Sequence, residues 1–147
     1  CFIDFEKWDV AQLQAGRAEQ VWVAVRDTTW PSQVLGPRWE AAVRSHVERS
    51  WPGGVVVSVG VTQVSDPKRR GQHELDLVVV QDDAIVAIGE TKLRRLGRDD
   101  LDRLRHLRTL LGAHGAHLVL ASAAGFERNL PIDDDVVVRI PPTDVYA

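Results

Sequence analysis

The chain has 147 residues, 44% of them hydrophobic, which suits one domain with a real core. Charged residues make up 27% and the net charge is -3, so contact with nucleic acid would have to come from a local basic patch. The longest apolar runs, such as Leu77 to Val80, are strand-sized, which excludes a spanning helix.

Cys1 is the only cysteine, so no internal disulfide forms, and a reducing, cytoplasmic setting is expected. Cys1 has a second reading as the lipid-bearing first residue of a processed lipoprotein, which the core-like Phe2-Ile3-Asp4-Phe5 opposes. Methionine is absent, so the sequence is expected to be a piece of a longer protein.

Residues 1–35 read as an aromatic-rich arm or linker carrying Phe2, Phe5, Trp8, Trp22 and Trp30. Within it, Gln12 to Val25 suits a helix, whereas Val21 to Val25 suits a strand, and the two stay open. The main domain is expected over 36–147. Pro37 sits well at a first helical position, and Trp39, Val43 and Val47 recur every four residues, giving a helix over about Pro37–Ser50 that Pro52-Gly53-Gly54 ends. Val55 to Val61 is β-branched and strand-like. Ser65 to Gly71 is a turn-rich, basic loop.

Two strands follow, Glu74–Gln81 and Ile85–Lys92, joined at Asp82-Asp83. A helix over about Arg98–Leu111 has Leu101, Leu104, Leu107 and Leu111 as its inner stripe and Gly112 as its stop. His117–Ala121 and Val136–Ile140 complete the strands. The order α-β-β-β-α-β, then a last β, is an α/β domain with a mixed central sheet flanked by helices.

Residues two apart in a strand share a face, so Glu90 and Lys92 point the same way. On the preceding strand, Asp76 shares a face with Glu74 and Val78. Whether Asp76 meets Glu90 depends on hairpin register. Pairing Gln81 with Ile85 sets Asp76 opposite Glu90, whereas a two-residue loop pairs Gln81 with Ala84 and turns the carboxylates apart. The juxtaposition therefore requires an odd loop or a bulge.

Two carboxylates ~5 Å apart repel by roughly 1 kcal/mol in water and by more in a shielded site. Mg²⁺ or Mn²⁺ turns that liability into a ligand set, because hard cations take carboxylate and carbonyl oxygens. Such a cation polarises a phosphodiester and lowers the pKa of the attacking water. Lys92 would stabilise the developing charge or hold the water. Glu40 flanks the apolar stripe of its helix and is a candidate third ligand. The strand Ile85–Lys92 is apolar on both faces up to its charged end, so it is expected to be central, with the acids at a sheet crevice.

Lys68, Arg69, Arg70, Arg94, Arg95 and Arg98, joined by Arg103, Arg105 and Arg108, would form a positive rim that neutralises DNA phosphates. His73 is a candidate phosphate-facing group. The histidines lack zinc-site spacing, no P-loop occurs, and Ser122 lacks a nucleophile-elbow context. A rival reading is a dimerisation domain with Trp22, Trp30 and Trp51 as a sticky face.

Over roughly Gly36 to Ala124 these elements resemble the PD-(D/E)XK nuclease superfamily. Most similar is the C-terminal domain carried by many archaeal and bacterial AAA-type ATPases. Ala15-Gly16-Arg17-Ala18-Glu19, Gly36-Pro37-Arg38-Trp39-Glu40, Glu74-Leu75-Asp76 and Gly89-Glu90-Thr91-Lys92 follow one another in that family's order. The resemblance implies a restriction-endonuclease-like core, Glu40, Asp76, Glu90 and the Thr91 carbonyl around the metal, and Lys92 assisting catalysis. It also implies DNA as partner and an ATPase region upstream that this chain lacks. The glutamine or tyrosine that many members carry in the next helix has no counterpart between Arg94 and Leu111.

Overall fold

A computed structural model describes residues 30–54, 57–68, 71–131 and 137–146. The expectations for residues 1–29, including Gly16-Arg17-Ala18-Glu19 and the exposed Trp22, lie outside these residues, as do Val55, Val56, Arg69, Arg70 and Val136. The chain divides into two compact units, Cys1–Arg38 and Trp39–Ala147. Of the first, the described part is a wide helical turn over Trp30–Leu35 and the first residues of α1.

α1 spans Gly36–Ser50 and buries Trp39, Val43 and Val47, the stripe that its spacing foretold. It ends in a tight turn over Pro52–Gly54, where Gly53 takes φ 88°, a conformation that glycine adopts without a Cβ penalty. The strands are β1 (Ser58–Asp66), β2 (Gly71–Gln81), β3 (Ala84–Lys92), β4 (His117–Ser122) and β5 (Val137–Ile140). α2 spans Arg98–Leu110 between β3 and β4, and a short α3 (Pro142–Val145), not expected from the sequence, follows β5. Gly112, at φ 65°, stops α2 as expected.

The five strands form one mixed sheet in the order β1-β2-β3-β4-β5. β1, β2 and β3 are antiparallel neighbours; β3, β4 and β5 run parallel. β3 is thus the middle strand. One sheet face (Leu77, Val79, Ala87, Val119, Ala121) packs with Trp39, Val43 and Val47 of α1 and Val145 of α3. The other (Val78, Ile88, Leu118, Leu120) packs with Leu101, Leu104 and Leu107 of α2. Each fully buried leucine contributes about 1.5–3 kcal/mol relative to exposure. Among the described residues, no helix is long and apolar enough to cross a membrane.

Two irregularities decide where the acids fall. The β2–β3 turn has the two-residue form, with Gln81 paired to Ala84 and both Asp82 (φ 50°) and Asp83 (φ 62°) left-handed. On its own that turn would put Asp76 and Glu90 on opposite faces. A bulge at Val86 then shifts the register, so that Val80 pairs Ile85 but Val79 pairs Ala87 and Leu77 pairs Gly89. Beyond the Leu77–Gly89 pair, the Thr91 N–H of β3 reaches Asp76 Oδ2 of β2.

The second bulge lies between β1 and β2. There Gly60 pairs Val78 and Thr62 pairs Leu75, so Asp76 and Leu77 together oppose Val61. Leu75 consequently shares the α2-side core with Val78, while Leu77 faces the α1 side. The simple alternation expected of Glu74, Asp76 and Val78 is broken at Asp76 itself.

Candidate functional site

β3 carries Glu90, Thr91 and Lys92 at its end, next to the Asp76 bulge of β2. Asp76 and Glu90 are buried, at 7% and 4% exposure, although both are carboxylates. Asp76 Oδ2 accepts a hydrogen bond from the Thr91 backbone N–H at 3.1 Å. The Lys92 ammonium lies 3.8 Å from Asp76 Oδ2 and 3.6 Å from Glu90 Oε1, so one cation faces both acids. The three residues singled out by spacing therefore share one neighbourhood.

Both flanking helices send an arginine to it. From α2, Arg103 Nη1 lies 3.2 Å from Glu90 Oε1, and Nη2 donates to the Glu74 carbonyl at 3.1 Å. From α1, Arg44 Nη1 donates to the Asp76 carbonyl at 3.4 Å and lies 3.9 Å from Glu40 Oε2. Arg44 thus ties Glu40 to the Asp76 bulge. Sequence reading left Arg44 unnoticed, although its i,i+4 spacing from Glu40 was a usable signal. Arg103 was read only as part of the basic rim; its spacing does not distinguish it from Arg105 or Arg108.

Burial pushes the Glu90 carboxyl above the ordinary glutamate range, against the pull of Arg103 and Lys92. Glu40 is also raised, by burial first and then by the nearby Asp76 charge. Glu90 Oε2 and Thr91 Oγ1 are buried without a hydrogen-bond partner. An unpaired buried carboxylate oxygen is costly, and a cation would satisfy it.

Among the described residues, no three His, Cys, Asp or Glu side chains are gathered so as to hold a metal ion. Mg²⁺ keeps several waters and binds through one or two carboxylates; here Asp76 Oδ2 accepts from the Thr91 N–H, and Glu90 Oε2 is buried without a partner.

Of the expected basic rim, Arg69 and Arg70 lie outside the described residues. Arg94 grips Asp100 through two hydrogen bonds, at 2.8 and 3.1 Å, and stands with exposed Arg95 and Arg98 around the start of α2. Lys68 lies in the turn after β1, whose Asp66 meets α2 at His106, at 2.9 Å. Arg98 and His106 are about 12 Å apart along the helix. Asp66 corrects the expected loop: β1 continues through it, and it is buried against His106 and His73, the latter 3.6 Å away. His73 thus turns toward Asp66, not toward the Asp76–Glu90 pair.

Ser122 is buried, donating to the Arg94 carbonyl at 2.7 Å and accepting from the Ala124 and Gly125 N–H groups, so its hydroxyl is engaged in the loop. Trp51 is half-buried, packed against the α1-side core with its ring edge-on to His117, while the side chains of Trp22 and Trp30 lie outside those described. A cavity of about 330 Å³ beside Trp51 and His117 lies at the start of β4, the opposite end from Lys92, and takes no part in this site.

Comparison with protein-family models, with curated proteins and with solved structures gives no match to this chain.

Proposed function

We propose that this chain is a divalent-cation-dependent DNA endonuclease domain of the PD-(D/E)XK kind, with a restriction-endonuclease-like core, working as part of a larger AAA-type ATPase. One observation carries the reading. Asp76 and Glu90, from adjoining strands, face the same ammonium at the end of the middle strand, and Glu90 keeps a buried, unpartnered oxygen.

In this reading Asp76 and Glu90 hold Mg²⁺ or Mn²⁺, with Glu40 near them and the Thr91 carbonyl contributing as the resemblance implies. The bound cation supplies Lewis acidity to the phosphodiester and lowers the pKa of a water. Lys92 orients that water or meets charge growing on the phosphorus oxygens. Arg94, Arg95, Arg98 and Lys68, with Arg69 and Arg70, would meet the DNA backbone.

Incubating the full chain with plasmid DNA and Mg²⁺ or Mn²⁺ tests this. Cleavage is expected, falling on the order of 10²–10³-fold in Asp76→Ala, Glu90→Gln and Lys92→Ala. Absence of cleavage by the wild type, or undiminished cleavage by Asp76→Ala, would sink it.

A second reading is a nuclease-fold module that binds DNA or regulates its ATPase without turnover. It is favoured by the two cations, Lys92 and Arg103, already placed against Glu90 Oε1. Its signature is DNA binding with neither cleavage nor Mn²⁺ uptake.

A further inference from the structure

We propose that Arg103 is the residue by which this site grips the substrate phosphate, and that Glu90 holds it back until a cation arrives. The proposal rests on the nuclease reading above and adds to it a residue that its motif does not contain.

Charge balance is the starting point. Glu40, Asp76 and Glu90 are matched by Arg44, Lys92 and Arg103, all within one connected set of contacts. When all six are ionised the cluster is neutral. A divalent cation then leaves a surplus of two positive charges. A phosphodiester would bring negative charge to meet that surplus. The cluster as built is therefore a poor anion site, and it becomes a good one only when loaded.

The three bases are not equivalent. Arg44 is tied to the backbone of Asp76 as well as to Glu40, and Lys92 lies between two carboxylates. Arg103 has one arm fixed on a backbone carbonyl, that of Glu74, and the other on Glu90 Oε1. A cation taken up on the unpartnered Glu90 Oε2 would draw charge from Oε1 and loosen the second arm, with the first left in place. The guanidinium, one third exposed, would stay anchored through its bond to the Glu74 carbonyl. That planar fork matches two phosphate oxygens as an ammonium cannot.

Competition between Arg103 and the cation for Glu90 makes the test specific. In Arg103→Ala, Mn²⁺ should bind severalfold more tightly, because a positive charge has left Glu90. Mn²⁺-dependent affinity for a short fluorescently labelled DNA duplex should fall about tenfold or more, as for a lost phosphate clamp. Arg103→Lys should keep near-wild-type Mn²⁺ affinity and recover only part of the duplex affinity. Arg103→Gln, which keeps a donor for the Glu74 carbonyl, repeats the Mn²⁺ and duplex measurements should the alanine variant not fold.

A merely structural arginine would lower both affinities together. That result, or no change in either, overturns the role of Arg103 while leaving the nuclease reading standing. A wild type whose Mn²⁺ binding is absent or indifferent to Glu90→Gln overturns both.

Discussion

At the start of α2, Asp100 is held from three directions. Arg94 donates to both of its oxygens, and the Gly97 backbone N–H donates to Oδ2 at 2.9 Å. These bonds outweigh burial and hold its carboxyl below the ordinary aspartate range. Three residues along, the same helix sends Arg103 to Glu90, and there the balance is reversed. Both cations near Glu90 approach one oxygen, the other has no partner, and burial raises its pKa. Two buried acids flanking one helix thus differ in satisfaction, not in residue type. A satisfied acid fixes a helix end; an unsatisfied one retains free energy that a ligand can collect.

The support common to both regions should give the largest effect. Leu104 is fully buried in the stripe that seats α2 on the sheet. Leu104→Ala should cost about 2–5 kcal/mol in denaturant unfolding and should weaken both clusters together. A variant that lost the Arg103–Glu90 contact but kept the Arg94–Asp100 pair would show that the helix does not move as one body.

Asp100→Ala comes next. It removes an acid that accepts from a backbone N–H before the helix and from a guanidinium, at an expected cost of about 1–3 kcal/mol. Chemical denaturation would measure this, and a loss below about 0.5 kcal/mol would erase the contrast with Glu90.

Much of this arrangement was legible in the residues, and the illegible part has a common cause. The Trp39, Val43, Val47 stripe and the leucines of α2 announced both helices, and the apolar β3 announced the middle strand. Register was legible only as a condition. Asp82-Asp83 marked the joint between the strands, and bringing Asp76 to Glu90 required an odd loop or a bulge. The bulged residues themselves, Val86 and Asp76–Leu77, are neither glycine nor proline, and Gly60 on the strand facing the second bulge is a compositional mark beside it. Asp66 was read as loop because Asp-Pro-Lys-Arg has turn composition, whereas its burial depends on His106, forty positions away. Arg103 was hidden for the same reason: its partners come from β2 and β3, and helical periodicity reports only which face is apolar.

The smallest effect is the most discriminating, because the two acids should respond to pH with opposite signs. Asp100 has a depressed folded pKa, so its stabilisation is present above the ordinary value of 3.8 and is lost as pH falls through the folded value. Glu90 has a raised one, so the folded state is favoured by the proton, and stability declines as pH rises from 4.5 through the folded value. Asp100→Asn should therefore be less stable than wild type at neutral pH, with the gap closing as acid protonates the wild-type group. Glu90→Gln should match wild type in acid and equal or exceed it, by no more than about 1 kcal/mol, at neutral pH, since an imperfectly paired buried charge is often neutral or costly to keep. Thermal unfolding of the two variants across this range measures both gaps. If Glu90→Gln is instead destabilised at neutral pH as much as Asp100→Asn, then Lys92 and Arg103 satisfy Glu90 fully, and no free energy is left there for a cation to collect.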